Sequence, residues 1–462
     1  MAYDCLVVGA GTAGCFAAYQ LARRGFSVAL AEVKPEEKIG EKVCGDAVGK
    51  HHFINVGLEP PKLGVDAIGR FKGVRVYSPS ERYYVTAWGE GYALNRKAFG
   101  RRLLKLALNA GAELYAEHSA QKPIVEGAWV RGVKFTRKDG STVEIEAKVI
   151  IDASGVAAAV RTRAPSEWWV SFRAPKGDFN ITYREIVRVE GGLEPELARI
   201  YLNVEVAPGG YWWWFPKNEE ELNVGLGIRW GVEGPSPKQR FEAFIRPRLR
   251  EFKAKVVHRG GGLAPTRRTL SCMVWNGLVV IGDAAYTANP IHGGGIGPAM
   301  LSALKAAETI EEAFVNSGEA SIEALWPYHR RYHEMYGAKQ AALDVLRLYL
   351  QRLTNEDLEF VIEKGVVTDA ELSTMGYEGR LSASILKKLG VALRLLSRPT
   401  LLSELRTVKS YMERAFELYK AFPDTPKQFE EWKVREERLF GQFVDWLNAR
   451  VRHQLSPDFS PE

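Results

Sequence analysis

Four cysteines in 462 residues, at positions 5, 15, 44 and 272, are too few for a disulfide framework. No CxxC pair or Cys/His cluster at zinc spacing accompanies them, so no metal site is expected, and a reducing cytoplasm is the expected setting. Long apolar runs are equally scarce. One stretch, Cys5–Ala22, carries no charged side chain for 18 residues, the length of a membrane span. Gly9, Gly11 and Gly14 interrupt it, and Asp4 stands where a signal peptide would carry a basic residue. It reads as a buried strand, a glycine turn and a buried helix, in a chain that is soluble or peripheral to a membrane. Charge of one sign is not in excess either. Lysine and arginine total 63 against 56 acids, and a net +7 is too small to indicate a nucleic-acid partner. Internal repeats and low-complexity tracts are missing. What is present is an ordinary globular balance, 46% hydrophobic and 26% charged, long enough for about three domains.

The chain opens as strand (3–8), glycine loop, helix (13–23) and strand (27–32), a βαβ beginning. Residues 70–92 are β-rich, a helix follows over 96–110, and an apolar strand at 148–151 ends in Asp152-Ala-Ser-Gly155. From 168 to 264 aromatic and β-branched residues alternate with polar ones, which predicts an antiparallel sheet. Another apolar strand, 278–281, runs through Gly282-Asp283 into a glycine cluster and a helix over 296–315. Beyond 320 the pattern is helical: Leu343, Leu346, Leu350 and Leu353 recur at three- and four-residue spacing, as do Leu386, Leu389, Leu393 and Leu396. The expected fold is α/β. A Rossmann-like dinucleotide-binding domain is built from segments 1–70, 94–165 and 265–318. An antiparallel β-sheet substrate domain (71–93 and 166–264) is inserted in it, and a helical region (319–462) follows.

Gly9-Ala-Gly11-Thr-Ala13-Gly14 follows a strand and opens a helix, and Glu32 ends the next strand. Gly9 permits the turn, Gly11 lets the backbone approach a pyrophosphate, and Gly14 lets helix and strand pack closely. The helix N-terminus offers unpaired N–H groups to the phosphates. Glu32, 18 residues beyond Gly14, is placed to accept from a ribose hydroxyl. The choice between NAD and FAD rests on a distal segment, Gly282-Asp283-Ala-Ala followed by Asn289-Pro290-Ile-His292-Gly293-Gly294-Gly295-Ile296-Gly297. There a carboxylate can bind ribityl hydroxyls, and a glycine-led helix start can stabilise the negative charge of a reduced flavin. FAD is therefore the expected cofactor.

These motifs, with Tyr92-Ala-Leu94-Asn-Arg96, together resemble the para-hydroxybenzoate hydroxylase-like FAD flavoproteins. Within them, Lys42-Val-Cys44-Gly45-Asp46 and Tyr211-Trp-Trp213-Trp-Phe215-Pro216 resemble the geranylgeranyl reductases, whose Y-x-W-x-F-P pattern is matched in full. The resemblance spans residues 1 to about 315. It implies FAD held by Gly9, Gly11, Ala13, Gly14, Glu32, Arg96, Ala153, Gly155 and Asp283, with Cys44, Gly45 and Asp46 beside the flavin and Pro290, Gly294, Gly295 and Ile296 beneath it. It also implies saturation of isoprenoid double bonds, in archaea those of ether-lipid geranylgeranyl chains: a hydride from flavin N5 to one alkene carbon and a proton to the other. The resemblance implies NAD(P)H or a ferredoxin as electron donor, and without a second nucleotide fingerprint the sequence does not choose between them.

Read as a strand, Tyr211, Trp213 and Phe215 point to one face and Trp212 and Trp214 to the other. With Pro216 they suit an apolar wall for a prenyl lipid, which about 0.8 kcal/mol per buried CH₂ can anchor without polar contacts; plain sheet core is the other reading. Cys44, Tyr211 and His292 are the candidate catalytic residues. Cys44 would gate, protonate or tune the flavin, or serve as a small buried thiol. His51 and His52 are proton-donor candidates by residue type alone. Between Arg380 and Arg414 eight basic residues face two acids, a stretch suited to phosphate headgroups at a bilayer and hence to peripheral membrane contact. Two other functions fit parts of the pattern: an FAD monooxygenase of the same fold acting on an aromatic or terpenoid substrate, and a non-catalytic flavin-containing carrier of prenyl lipids.

Overall fold

The computed structural model describes residues 3–377 and 398–450. Its first sheet runs, in spatial order, Val274–Trp275, Leu278–Val280, Thr142–Asp152, Tyr3–Val8, Val28–Ala31 and Glu113–Tyr115. The Tyr3–Val8 strand pairs in parallel with both neighbours. Cys5, Leu6 and Val7 are fully buried because helices cover both faces, as a parallel sheet requires. A hairpin, His118–Glu126 with Trp129–Arg137, extends this sheet from the Thr142–Asp152 strand. The Thr12–Ala22 helix presents alanines and glycine, and this small-residue surface lets it pack against both the Arg96–Asn109 and Ile296–Ser317 helices.

The second sheet is mostly antiparallel: Lys255–Pro265, Phe179–Arg188, Glu221–Arg229, Tyr211–Pro216, Leu197–Tyr201, Ala67–Tyr77, Tyr84–Leu94 and Ala47–Gly49. The last strand lies inside the stretch assigned above to the dinucleotide part. At three residues it is too short to carry a readable period. The α/β class, the two kinds of sheet and the C-terminal helices agree with the sequence expectation.

Of the C-terminal helices, Asn355–Glu363 and Asp369–Tyr377 pack on the Tyr84–Leu94 strand of the second sheet, while Ala338–Leu350, Pro399–Lys420 and Phe429–Arg450 pack on one another. A buried charge network holds them. Asp344 bonds Arg347 and Arg268, Asp178 bonds Arg267 and Arg347, and Glu436 bonds Arg268, Ser271 and Tyr419. Removing one member of such a network strands a buried charge, at a cost of about 3–5 kcal/mol.

Beside it, His329 and His333 are buried among Trp326, Tyr419 and Phe422. His329 Nε2 accepts the Met273 N–H at 2.8 Å, which leaves no place for a second proton, and burial holds its pKa down to about 3. Both His333 nitrogens lack a hydrogen-bond partner, and burial lowers its pKa well below 6.5. Unfolded histidine titrates near 6.5. Below that pH the unfolded chain takes up protons that the fold refuses. Stability should therefore fall as pH drops from 6.5 toward about 4, by up to about 1.4 kcal/mol per pH unit for each ring. His333→Leu is expected to flatten this slope and raise the melting temperature near pH 5.5. A slope equal to wild type would assign the acid loss to other groups.

Candidate active site

One cavity of about 770 Å³ runs between the second sheet, the C-terminal ends of the parallel strands and the C-terminal helices, well within the range of small-molecule sites. Its first end is a dinucleotide cradle. Gly9 (φ +102°) turns the chain after Tyr3–Val8, and a Cβ on Gly14 would stand 1.7 Å from the Gly9 carbonyl oxygen. Helix and loop thus touch backbone to backbone, which only glycine permits. A Cβ on Gly11 or Gly155 would meet nothing within 4 Å, so space for a ligand lies directly over both. Neither the Thr12–Ala22 nor the Ile296–Ser317 helix has a side-chain N-cap, and Gly11, Thr12, Ala13, Gly295 and Ile296 all line the cavity. Both helices therefore aim first-turn N–H groups at it.

Arg96, at the start of the Arg96–Asn109 helix, is buried there, with Nη2 donating to Thr12 Oγ1 at 2.7 Å. Its Nε and Nη1 have no partner. A guanidinium with unpaired donors beside a glycine loop suits a pyrophosphate. Ala153 and Gly294 line the same end. Asp283 follows the Leu278–Val280 strand, and its Oδ2 is ion-paired with Lys42 Nζ at 3.0 Å. Gly9, Gly14 and Glu32 lie behind the lining rather than in it. Glu32 accepts the Ala10 N–H at 2.6 Å and the Lys34 N–H at 3.0 Å, so it fixes the loop while keeping lone pairs for a further donor. These residues fit FAD.

At the centre stand Cys44, Gly45, Tyr211, Trp213, Phe215 and His292. The expected alternation holds. Tyr211, Trp213 and Phe215 line the cavity, while Trp212 and Trp214 enter a separate core where Trp212 stacks on Tyr201. Pro216 shares the Trp212–Trp214 face of the strand, is buried in register with Leu222, and does not line the cavity; nor does the buried Pro290. Tyr211 donates to the His292 carbonyl at 2.6 Å, and burial raises its pKa, so it stays a phenol. His292 Nδ1 accepts the Gly294 N–H at 3.2 Å, and the surrounding protein lowers its pKa to about 4. A ring nitrogen that accepts a backbone N–H carries no proton to give at that atom. His52 packs on Gly297, its ring 4.0 Å from that of His51, and burial lowers the pKa of both.

Asp46 lines the cavity beside Cys44 and Gly45 and is also held from within the protein. It takes a left-handed φ of +61°, is 1% exposed, and its Oδ2 accepts from Lys217 Nζ at 3.1 Å and Asn223 Nδ2 at 3.0 Å. Asn223 also donates to the Cys44 carbonyl (2.8 Å) and accepts from Trp213 Nε1 (3.0 Å). Lys217 and Asn223, unread in the sequence, thus tie the cysteine loop to the aromatic strand. The Cys44 thiol sulfur accepts the Asp46 N–H at 3.3 Å, leaving its own proton uncommitted by that bond.

The far end is apolar. Val74, Val76 and Val85 form its sheet side, while Leu343, Leu346, Leu350, Leu358 and Met412 form its helical side. The leucine stripe was legible as a helix face. What it faces was not, because periodicity reports burial and not its partner. Of the basic stretch, Arg380, Lys387, Lys388 and Arg394 lie outside the described residues, as do Leu386, Leu389, Leu393 and Leu396. Arg398 pairs with Asp357, Lys409 with Glu413, and Arg414 lies over the Tyr411 ring.

The parallel sheet, its glycine loop and the inserted antiparallel sheet define an FAD-dependent oxidoreductase, and residues 4–169 match the FAD dependent oxidoreductase family. Residues 178–264 match the geranylgeranyl reductase catalytic domain. The chain is 37% identical over 444 residues to the digeranylgeranylglycerophospholipid reductase of Sulfolobus acidocaldarius, covering 96% of this chain and 98% of that one. It is 32% identical to the protein of that name from Methanothrix thermoacetophila, over 83% and 96% of the two chains. Among solved structures, a geranylgeranyl bacteriochlorophyll reductase-like protein from Thermoplasma acidophilum superposes with a TM-score of 0.74 at 25% identity, over 88% of this chain and 99% of its own. The chain belongs to the digeranylgeranylglycerophospholipid reductase family.

Proposed function

We propose that the protein saturates the carbon–carbon double bonds of geranylgeranyl chains on ether phospholipids. The chief support is the continuity of the cavity, which joins the dinucleotide cradle to an apolar gallery through Cys44, Tyr211 and Trp213. FAD held by the Gly11 loop, Arg96 and the Gly295 helix start would, once reduced by NAD(P)H or a ferredoxin, supply the hydride. This chain supplies position, dryness and a proton. An isolated alkene has no carbonyl through which to be activated, so close orientation must do most of the work. The aromatic wall fixes the chain, and burial by the helices excludes water. Tyr211 holds the His292 loop by its hydroxyl, and its proton is committed to that carbonyl. Cys44 is the proposed proton source, because its S–H is not used by the bond that its sulfur accepts. Among the described residues no helix is long and apolar enough to cross a membrane. Peripheral contact would suit the cavity rim, where Trp88 (51% exposed) and Met335 (52% exposed) present apolar surface to an arriving lipid.

Anaerobic incubation of the reduced protein with a digeranylgeranyl ether phospholipid, read by mass spectrometry, should show two hydrogens gained per double bond. Product carrying added oxygen in air would instead indicate a monooxygenase, and binding without turnover a carrier. Trp213→Ala is expected to raise KM for the lipid about tenfold, the equivalent of roughly two methylenes losing their wall, while flavin content holds. Equal loss of both would make the strand plain core.

A further inference from the structure

Five lysines and arginines among the described residues line the cavity, each with its own neighbours, Lys339 lying over the Tyr336 ring. Lys42 pairs with Asp283, Lys409 pairs with Glu413, Arg96 belongs to the cradle, and Arg184 is 3% exposed against His258. Lys339 stands apart by position. It lies on the same helical face as Leu343, Leu346 and Leu350, at four-, three- and four-residue spacing, and all four line the cavity. The face is thus polar at its head and apolar along the rest. Eleven residues of helix span about 17 Å. A geranylgeranyl chain, extended at the ~1.2 Å per bond of a stretched backbone, runs roughly 18 Å. Charge and grease are spaced as in one amphiphile.

Local backbone supports the placement. Helical structure from Pro327 to Leu350 is interrupted by a π-turn over His333–Gly337, which ends just before the lysine. Such turns recur where a helix must redirect side chains for function, and here Met335, Tyr336 and Lys339 all reach the cavity. His51, His52 and His292 line the same cavity.

Resting on the proposed function, we infer that Lys339 anchors the lipid's headgroup phosphate, holding the anion at the head of the leucine face while the prenyl chain lies along it. An ammonium at that point is costly to bury, and burial alone lowers its pKa to about 8. A phosphate oxyanion would offset that cost through a charge-assisted hydrogen bond.

Binding of a saturated diether phosphate, which cannot react, tests this through quenching of tryptophan fluorescence in the flavin-loaded protein. Lys339→Met should raise Kd for the phosphate lipid at least tenfold. Kd for the same diether ending in a glycerol hydroxyl should move less than about twofold, and Lys339→Arg should restore most of the loss. Equal effects on both lipids, or no effect on the phosphate lipid, overturn the assignment. Inorganic phosphate serves as competitor: displacement at concentrations below those of the lipid itself would show a site for the free ion and overturn the headgroup role. Turnover on the unsaturated lipid is scored separately. Intact, lysine-dependent binding without turnover would overturn the reductase reading and leave the anchor standing.

Discussion

Lys217→Met should cost the protein about 3–5 kcal/mol, measured by urea denaturation, because it removes the cation facing a carboxylate that cannot reach water. Asp46 is 1% exposed, and its Oδ1 already has no hydrogen-bond partner. With the ammonium gone, Asn223 at 3.0 Å would be the remaining hydrogen-bond donor to Oδ2, with the Arg184 charge nearby. The fold would then have to protonate Asp46 or expel it, and expulsion drags the Cys44 loop with it. Adding Asp46→Asn should recover about half the loss, since the amide carries no charge and tolerates the left-handed backbone at this position. The single variant should also shift the flavin absorption band, because the loop beside the aromatic strand moves. A single variant as stable as wild type would mean that the ion pair is dispensable and that Asp46 is held by the loop's backbone.

The second large effect is expected at the glycine loop. Gly14→Ala places a methyl 1.7 Å from the Gly9 carbonyl oxygen, and both partners are backbone, so no side chain can give way. Gly9 is itself pinned: its N–H donates to the Ala31 carbonyl at 2.7 Å, and a Cβ there would meet the Ala153 carbonyl oxygen at 2.6 Å. The loop must open, and phosphate-binding N–H groups lose their aim. Folded Gly14→Ala protein should carry less than about a tenth of the wild-type flavin per chain, the ratio that corresponds to about 1.4 kcal/mol. Full occupancy would overturn the packing argument. Gly11→Ala separates ligand from fold. Its methyl meets no protein atom, so the flavin-free protein should melt as wild type does, while flavin affinity falls.

How much of this was legible depends on the distance over which each feature is encoded. The strand, glycine turn and helix at 3–22 are written in adjacent residues, and the alternation of Tyr211, Trp213 and Phe215 against Trp212 and Trp214 follows from the strand period. That same period explains why Pro216 does not join them. Arg96 was reachable only through family resemblance, since an arginine at a helix start has no local signature of a phosphate site. The Lys217–Asp46 and Asn223–Asp46 bonds join residues 171 and 177 positions apart, a separation that no local pattern reports. Lys339 looked like any helical lysine until the fold set a leucine-lined space in front of it.

The buried network of Arg267, Arg268, Arg347, Asp178, Asp344 and Glu436 also bears on how a lipid gets in. It rivets the Ala338–Leu350 helix to the segment that leads into the second sheet, so this wall cannot swing aside as a lid would. A lipid entering the cavity would slide along this wall without displacing it.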